Sequence, residues 1–145
     1  MNKSIHFYIK DPVFHSVCLF LVGDKEECNK IISKKIGCDE VITGECEGCV
    51  SEFTDNNTGA FIGRSLWIEK FDYTPSRLSY LAHEIAHLVD DNMERKGINP
   101  TNKSSETRAY MTQYWFEQFV YKYQKEHKKR NARKQKSTRS RRTSS

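Results

Sequence analysis

The chemistry this chain of 145 residues displays most openly lies in His83-Glu84-Ile85-Ala86-His87, inside the stretch "LSYLAHEIAHLVDD". On an α-helix, residues four apart sit about 40° apart around the axis, one turn above one another. Both imidazoles can then reach one ion from a single rigid turn, and imidazole pairs at this spacing suit zinc. Glu84 lies about 100° around from His83, too far round for an equivalent ligand and well placed to touch a water on the same ion. The pattern divides labour between two ligands and one base. Zinc lowers the pKa of its water towards neutrality, and Glu84 takes the proton as that water attacks a carbonyl, then passes it to the leaving amine. The plainer alternative is an amphipathic helix carrying two unrelated histidines. It is disfavoured because apolar residues fill the positions between them in a well-marked helix.

A tetrahedral catalytic site needs a third protein ligand and keeps the fourth position for water. The histidine of the longer H-E-x-x-H-x-x-G-x-x-H form is missing, since Met93 stands in its place. Glu106, 19 positions after His87, is the next candidate. A carboxylate near a helix N-terminus is also favoured by the helix dipole alone, so a purely local role stands beside the ligand role. Asp90 falls within about 20° of His83 around the helix; it either orients a ligand histidine or is a solvated acid near the helix end. Tyr110, one turn beyond Glu106, either donates to a developing oxyanion or packs in the core.

These residues need elements to hold them. Thr74-Pro75 reads as an N-cap with proline at the first helical position, and Arg95-Lys96-Gly97 as a basic, glycine-terminated end. Between them Leu78, Leu81, Ala82, Ile85, Leu88 and Val89 recur at helical spacing. A last helix is expected from about 104 to about 123, its buried face marked by Tyr110, Tyr114, Phe116, Phe119 and Tyr123. Upstream, 5–9 and 13–22 read as strands, the second apolar enough for a sheet interior. A short helix follows from Asp24 as N-cap to Gly37 as terminator. Segment 38–60 is rich in turn residues, with short strands expected at 41–42 and 50–53; 61–71 returns to strand character.

The net charge of +5 hides two regions. From Tyr121 to Ser145 there are 11 Lys/Arg and one acid, whereas the other 120 residues hold 13 Lys/Arg against 18 acids. An acidic body with a basic tail implies different partners for each. The tail has almost nothing apolar after Tyr123, so it is expected to fray near 125–130 and to contact nucleic acid or an acidic partner through its charge. No apolar run is long enough to span a bilayer, and the opening "MNKSIHFYIKDPVFHS" lacks the pattern of a secretory signal, so a cytoplasmic location and no membrane partner are expected. Five cysteines make an odd number, which argues against a disulfide framework. Cys46-Glu47-Gly48-Cys49 resembles half of a zinc knuckle; a second, structural zinc on Cys28, Cys38, Cys46 and Cys49 and a thiol redox pair are the alternatives to plain reduced thiols, which fit the spacing better.

"HEIAH" followed by "ETRAY" after a short helix and loop resembles the gluzincin-type zinc metallopeptidases. It is most like small bacteriophage-encoded zincin-like proteins and, more distantly, the ImmA/IrrE-type peptidases. The resemblance covers about residues 60–120. It implies His83, His87 and Glu106 as ligands of one zinc, Glu84 as general base and a peptide substrate. The strand "SLWIEKF" would line the cleft and pair with extended substrate. The implied fold is a small α+β zincin-like domain over 1–124, a mixed sheet packed against the histidine-bearing helix and a C-terminal helix, with a disordered basic tail over 125–145. Host-cell cytoplasm or a virion is the location such an origin implies. The alternative is a catalytically silent zincin-fold phage or virion protein that binds nucleic acid through 124–145.

Overall fold

The computed structural model describes residues 4–39 and 41–143. It contains four strands and three α-helices: β1 (Ile5–Lys10), β2 (Val17–Val22), α1 (Lys25–Ile36), β3 (Gly48–Thr54), β4 (Phe61–Ile68), α2 (Pro75–Arg95) and α3 (Ser105–Thr143), with a 3-10 turn at Asn102–Ser104. The sheet is mixed and ordered β1-β2-β4-β3; β2 and β4 are parallel and the outer pairs antiparallel. This is the expected α+β arrangement. No helix among the described residues is long and apolar enough to cross a membrane.

The two central strands are apolar on both faces because both faces are covered. Leu19, Leu21 and Trp67 face α1, where they pack with Cys28, Ile32, Ile42 and Phe53. Cys18, Phe20, Val22, Leu66 and Ile68 alternate to the other face and meet α2 and α3. There Phe119 is the hub, its ring centroid 5.6 Å from Phe7 and Phe20 and 5.0 Å from Phe71. Tyr123 closes the layer and donates its hydroxyl to the Phe71 carbonyl at 2.9 Å.

Local signals fix several boundaries. The Asp24 carboxylate caps α1 by accepting from the Glu27 amide at 3.0 Å. Gly37 ends the helix at φ +83°, where a side chain would be strained. Thr74 does precede α2, but its hydroxyl donates to Asp72 at 2.7 Å and makes no cap bond, so Pro75 marks the start instead.

Three expectations are corrected. Residues 13–16 form a turn: the buried Asp11 carboxylate accepts the amides of Val13, Phe14 and Ser16. Residues 41–42 are not a strand, because the Asn29 side chain takes both backbone groups of Ile42, accepting at 2.9 Å and donating at 3.1 Å. The last helix does not stop near 125–130 but runs through Thr143. Residues 124–143 contain neither glycine nor proline and are rich in Lys, Arg and Gln, good helix formers. What ends there is packing, for residues 131–138 are all exposed.

One charged network ties the sheet edge to α2. Arg64 of β4, 3% exposed, donates to Asn92 of α2 and, at 2.9 Å, to Glu52 of β3. Glu52 also accepts from Arg95 in the last turn of α2 at 2.8 Å. Hydrogen bonds from Arg95, reinforced by Arg64, hold the Glu52 carboxyl below its ordinary value. A depressed folded value means stabilisation that is full above the ordinary glutamate pKa and is lost as pH falls through the lower one. Glu52→Gln should therefore cost about 1–3 kcal/mol near neutrality by weakening the partner of a buried guanidinium. Thermal unfolding of both proteins from pH 7 to 3 checks this: the gap should close in acid, and a constant gap would refute it.

Candidate active site

The segment preceding β3 and the first strand residues lie across the middle of α2, and a cleft of about 470 Å³ opens between them. Its lining brings together His83, Glu84, His87 and Asp91 from α2 with Cys46, Gly48, Cys49 and Val50. The helix presents its chemistry here because its opposite side, Leu81, Ile85, Leu88, Val89 and Met93, is consumed by the core.

His83 and His87 are exposed, their rings 4.6 Å apart and nearly perpendicular, with Nε2 atoms 3.1 Å from one another. Two nitrogens on one tetrahedral zinc, each at 2.0–2.1 Å, stand roughly 3.3 Å apart. The pair is thus spaced for one shared ion. The same separation serves a hydrogen bond in which one ring donates and the other accepts, which needs neither ring to be charged.

Glu84 differs from both. It is only 5% exposed, at the floor of the cleft. Burial pushes its carboxyl up from the ordinary value, against the pull of the two histidines. Its position depends on Gly48: a Cβ there would lie 3.2 Å from Glu84 Cγ and 3.1 Å from the Trp67 carbonyl oxygen. The loop before Gly48 is held to α2 by Glu47, whose carboxylate meets Arg77 at 2.5 Å and whose carbonyl accepts from the Glu69 amide at 2.8 Å.

The other anticipated residues fall elsewhere. Glu106 and Tyr110 occupy the first turns of α3, both exposed, and neither lines the cleft. Asp90 pairs with Arg108 of α3 at 3.2 Å rather than with a histidine, which ties the start of α3 to the outer side of α2. Among the described residues, no third His, Cys, Asp or Glu already stands with the histidine pair in a group that could hold an ion. Asp91 shares the cleft, but it is eight residues from His83, about 12 Å along the axis, too far for both to meet one ion.

The strand "SLWIEKF" is also recast. β4 is hydrogen-bonded to β2 on one side and β3 on the other, so it has no edge to offer a substrate; the edge beside the cleft is β3. All five cysteines are free. Cys28, Cys38 and Cys49 belong to the layer against α1, and burial raises the Cys28 thiol to about 11. Cys46 is exposed at the cleft. The four thiols are not gathered in a metal-holding group among the described residues.

Sequence reasoning named the helix residues that line the cleft and missed the role of the segment 46–50. Its signal was Gly48, a small residue where another element must approach closely. No protein-family model, no curated protein and no solved structure matches the chain.

Proposed function

We propose that this chain is a zinc-dependent peptidase of the gluzincin type, with His83 and His87 as two metal ligands and Glu84 as general base. The observation that carries the reading is the pair of Nε2 atoms 3.1 Å apart beside a buried carboxylate in a cleft bounded by a sheet edge. When bound, zinc would supply Lewis-acid activation of water and carbonyl. The remaining chemistry falls to the chain. Glu84, its carboxyl raised by burial, accepts a proton from the attacking water and delivers it to the leaving amine. The free edge of β3 gives an extended peptide backbone hydrogen-bonding groups that orient it along the cleft. Zinc analysis of the purified protein, with proteolysis of a denatured protein measured before and after chelation, tests the reading. Absence of zinc together with chelator-insensitive or absent proteolysis would reject it.

The third ligand in this reading is Glu106, whose exposed side chain sits in the first turn of a helix tied to α2 through Arg108 and Asp90. Its rival is Cys46, which already lines the cleft. Cobalt substitution separates them, because a thiolate ligand gives an intense near-ultraviolet charge-transfer band. Glu106→Gln should weaken metal binding by about 10-fold or more, on the scale that even supporting residues show. Cys46→Ser should leave both affinity and spectrum unchanged. The opposite result would assign the ligand to Cys46.

A second reading keeps the zincin-like fold without turnover and gives the work to the basic C-terminal segment. The charge division between body and tail favours it. Zinc bound at the histidine pair with no proteolysis of any peptide mixture would support this reading over the first.

A further inference from the structure

We propose that Asp91 selects the substrate of the cleft, holding a lysine or arginine side chain close to the bond to be cut. The inference takes its reaction from the peptidase reading and the charge of its ligand from the cleft itself. Among the described residues no lysine or arginine lines the cleft, whereas Glu84 and Asp91 both do. Glu84 is 5% exposed and Asp91 is half-buried, and no hydrogen bond or ion pair among the described residues holds either carboxylate. A carboxylate drawn out of water without a partner is costly, and a cation entering the cleft offsets that cost. The arginines around the cleft are already engaged. Arg64 donates to Glu52 and Asn92, Arg95 donates to Glu52, and Arg77 meets Glu47.

Position divides the work between the two acids. Seven residues apart, they fall within about 20° of each other around α2 and about 10 Å apart along it. Glu84 stands within the histidine pair, and Asp91 lies one turn, about 6 Å, beyond His87. An extended peptide rises about 3.3 Å per residue, so roughly two residues separate an atom at the histidines from one beside Asp91. β3 runs alongside in the same sense: Gly48 abuts Glu84, Val50 lines the cleft, and Glu52 is tied to Arg95 in the last turn of α2. A peptide on the β3 edge therefore passes Asp91. An acidic side chain is repelled there, and an apolar one leaves the carboxylate unpaired. Lysine and arginine bring a fixed charge on a long apolar stem, for which Val50 offers an apolar wall.

Fluorescence anisotropy of short labelled peptides tests this, each with one central Lys, Arg, norleucine or Glu among alanine and serine. They are titrated into the full chain carrying Glu84→Gln, which keeps bound peptide intact. The Lys and Arg peptides should bind about 10–100-fold tighter than the norleucine peptide, the range of a hydrogen bond to a charged group. Adding Asp91→Asn should bring that ratio close to one, and adding Asp91→Lys should turn the preference to the Glu peptide. Helix content by circular dichroism and zinc content should not change. Equal binding of all four peptides, binding of none, or a basic preference that survives Asp91→Asn would each overturn the inference. Loss of zinc on Asp91→Asn would also overturn it, by assigning the carboxylate to the metal site. Mapping the cuts that the unaltered chain makes in a denatured protein separates the two readings. Cuts with no basic residue nearby reject the selectivity and leave the peptidase. Asp91-dependent binding without any cutting rejects the peptidase and leaves the selectivity.

Discussion

Glu84→Gln should lower peptide hydrolysis by about 10²–10⁴-fold while zinc content stays that of the unaltered protein. Glutamine keeps the shape of the side chain and removes only its ability to accept a proton. Glu84 is 5% exposed and sits against Gly48, so an isosteric replacement leaves the cleft floor in place. It also removes a charge that burial disfavours, so the variant should be at least as stable as the parent. Loss of turnover with retained metal and stability would place Glu84 in the chemical step. Unchanged turnover would remove it from the mechanism.

The second large effect belongs to the proposed ligands. His87→Ala should abolish stoichiometric zinc binding, because one imidazole and one distant carboxylate cannot hold the ion alone. The consequence is visible without a substrate. A metal that binds only the folded chain stabilises it by about 2.7 kcal/mol at a free concentration 100 times its dissociation constant. For a domain of this size that raises the unfolding midpoint by roughly 5–10 °C. Titrating zinc into the unaltered protein should produce this rise, and His87→Ala should show none. The histidine is exposed, so its loss should leave the metal-free midpoint nearly unchanged. An equal zinc-dependent rise in the variant would mean that the ion binds elsewhere.

The helix that carries this chemistry was legible because its signals are local. Pro75, the spacing of Leu81, Ile85, Leu88 and Val89, and the basic end are all read within one segment. Asp24 and Gly37 marked α1 for the same reason. What was not legible depends on distant partners. β3 was expected only over 50–53, and its full length from Gly48 to Thr54 comes from pairing with β4. Arg64 looks like a surface residue in "FIGRSLWIEKF" and is buried only because Glu52 and Asn92 arrive from two other elements. Ile42 lost its expected strand to the Asn29 amide, 13 residues away in the chain. Aromatic spacing in α3 correctly marked Phe119 and Tyr123 as core, while Tyr110 on the same helix is 51% exposed. Pattern separates a core face from a surface less well in the first turns of a helix, before its buried face has been reached.

The candidate site divides along the same line. The two proposed ligands and the proposed base share a single turn and a half of helix, so their relation follows from helix geometry alone. The proposed third ligand, Glu106, would require α3 to meet α2 at the right height, a tertiary relation no spacing rule gives. The cleft wall at Gly48 is likewise a contact between elements 36 residues apart in sequence.

An X-ray absorption spectrum at the zinc edge, recorded on the purified full chain, addresses the central claim most directly. The account predicts one zinc per chain with two imidazole ligands and the remaining positions filled by oxygen. A preparation that binds no zinc, or a zinc shell made mainly of sulfur, would contradict it.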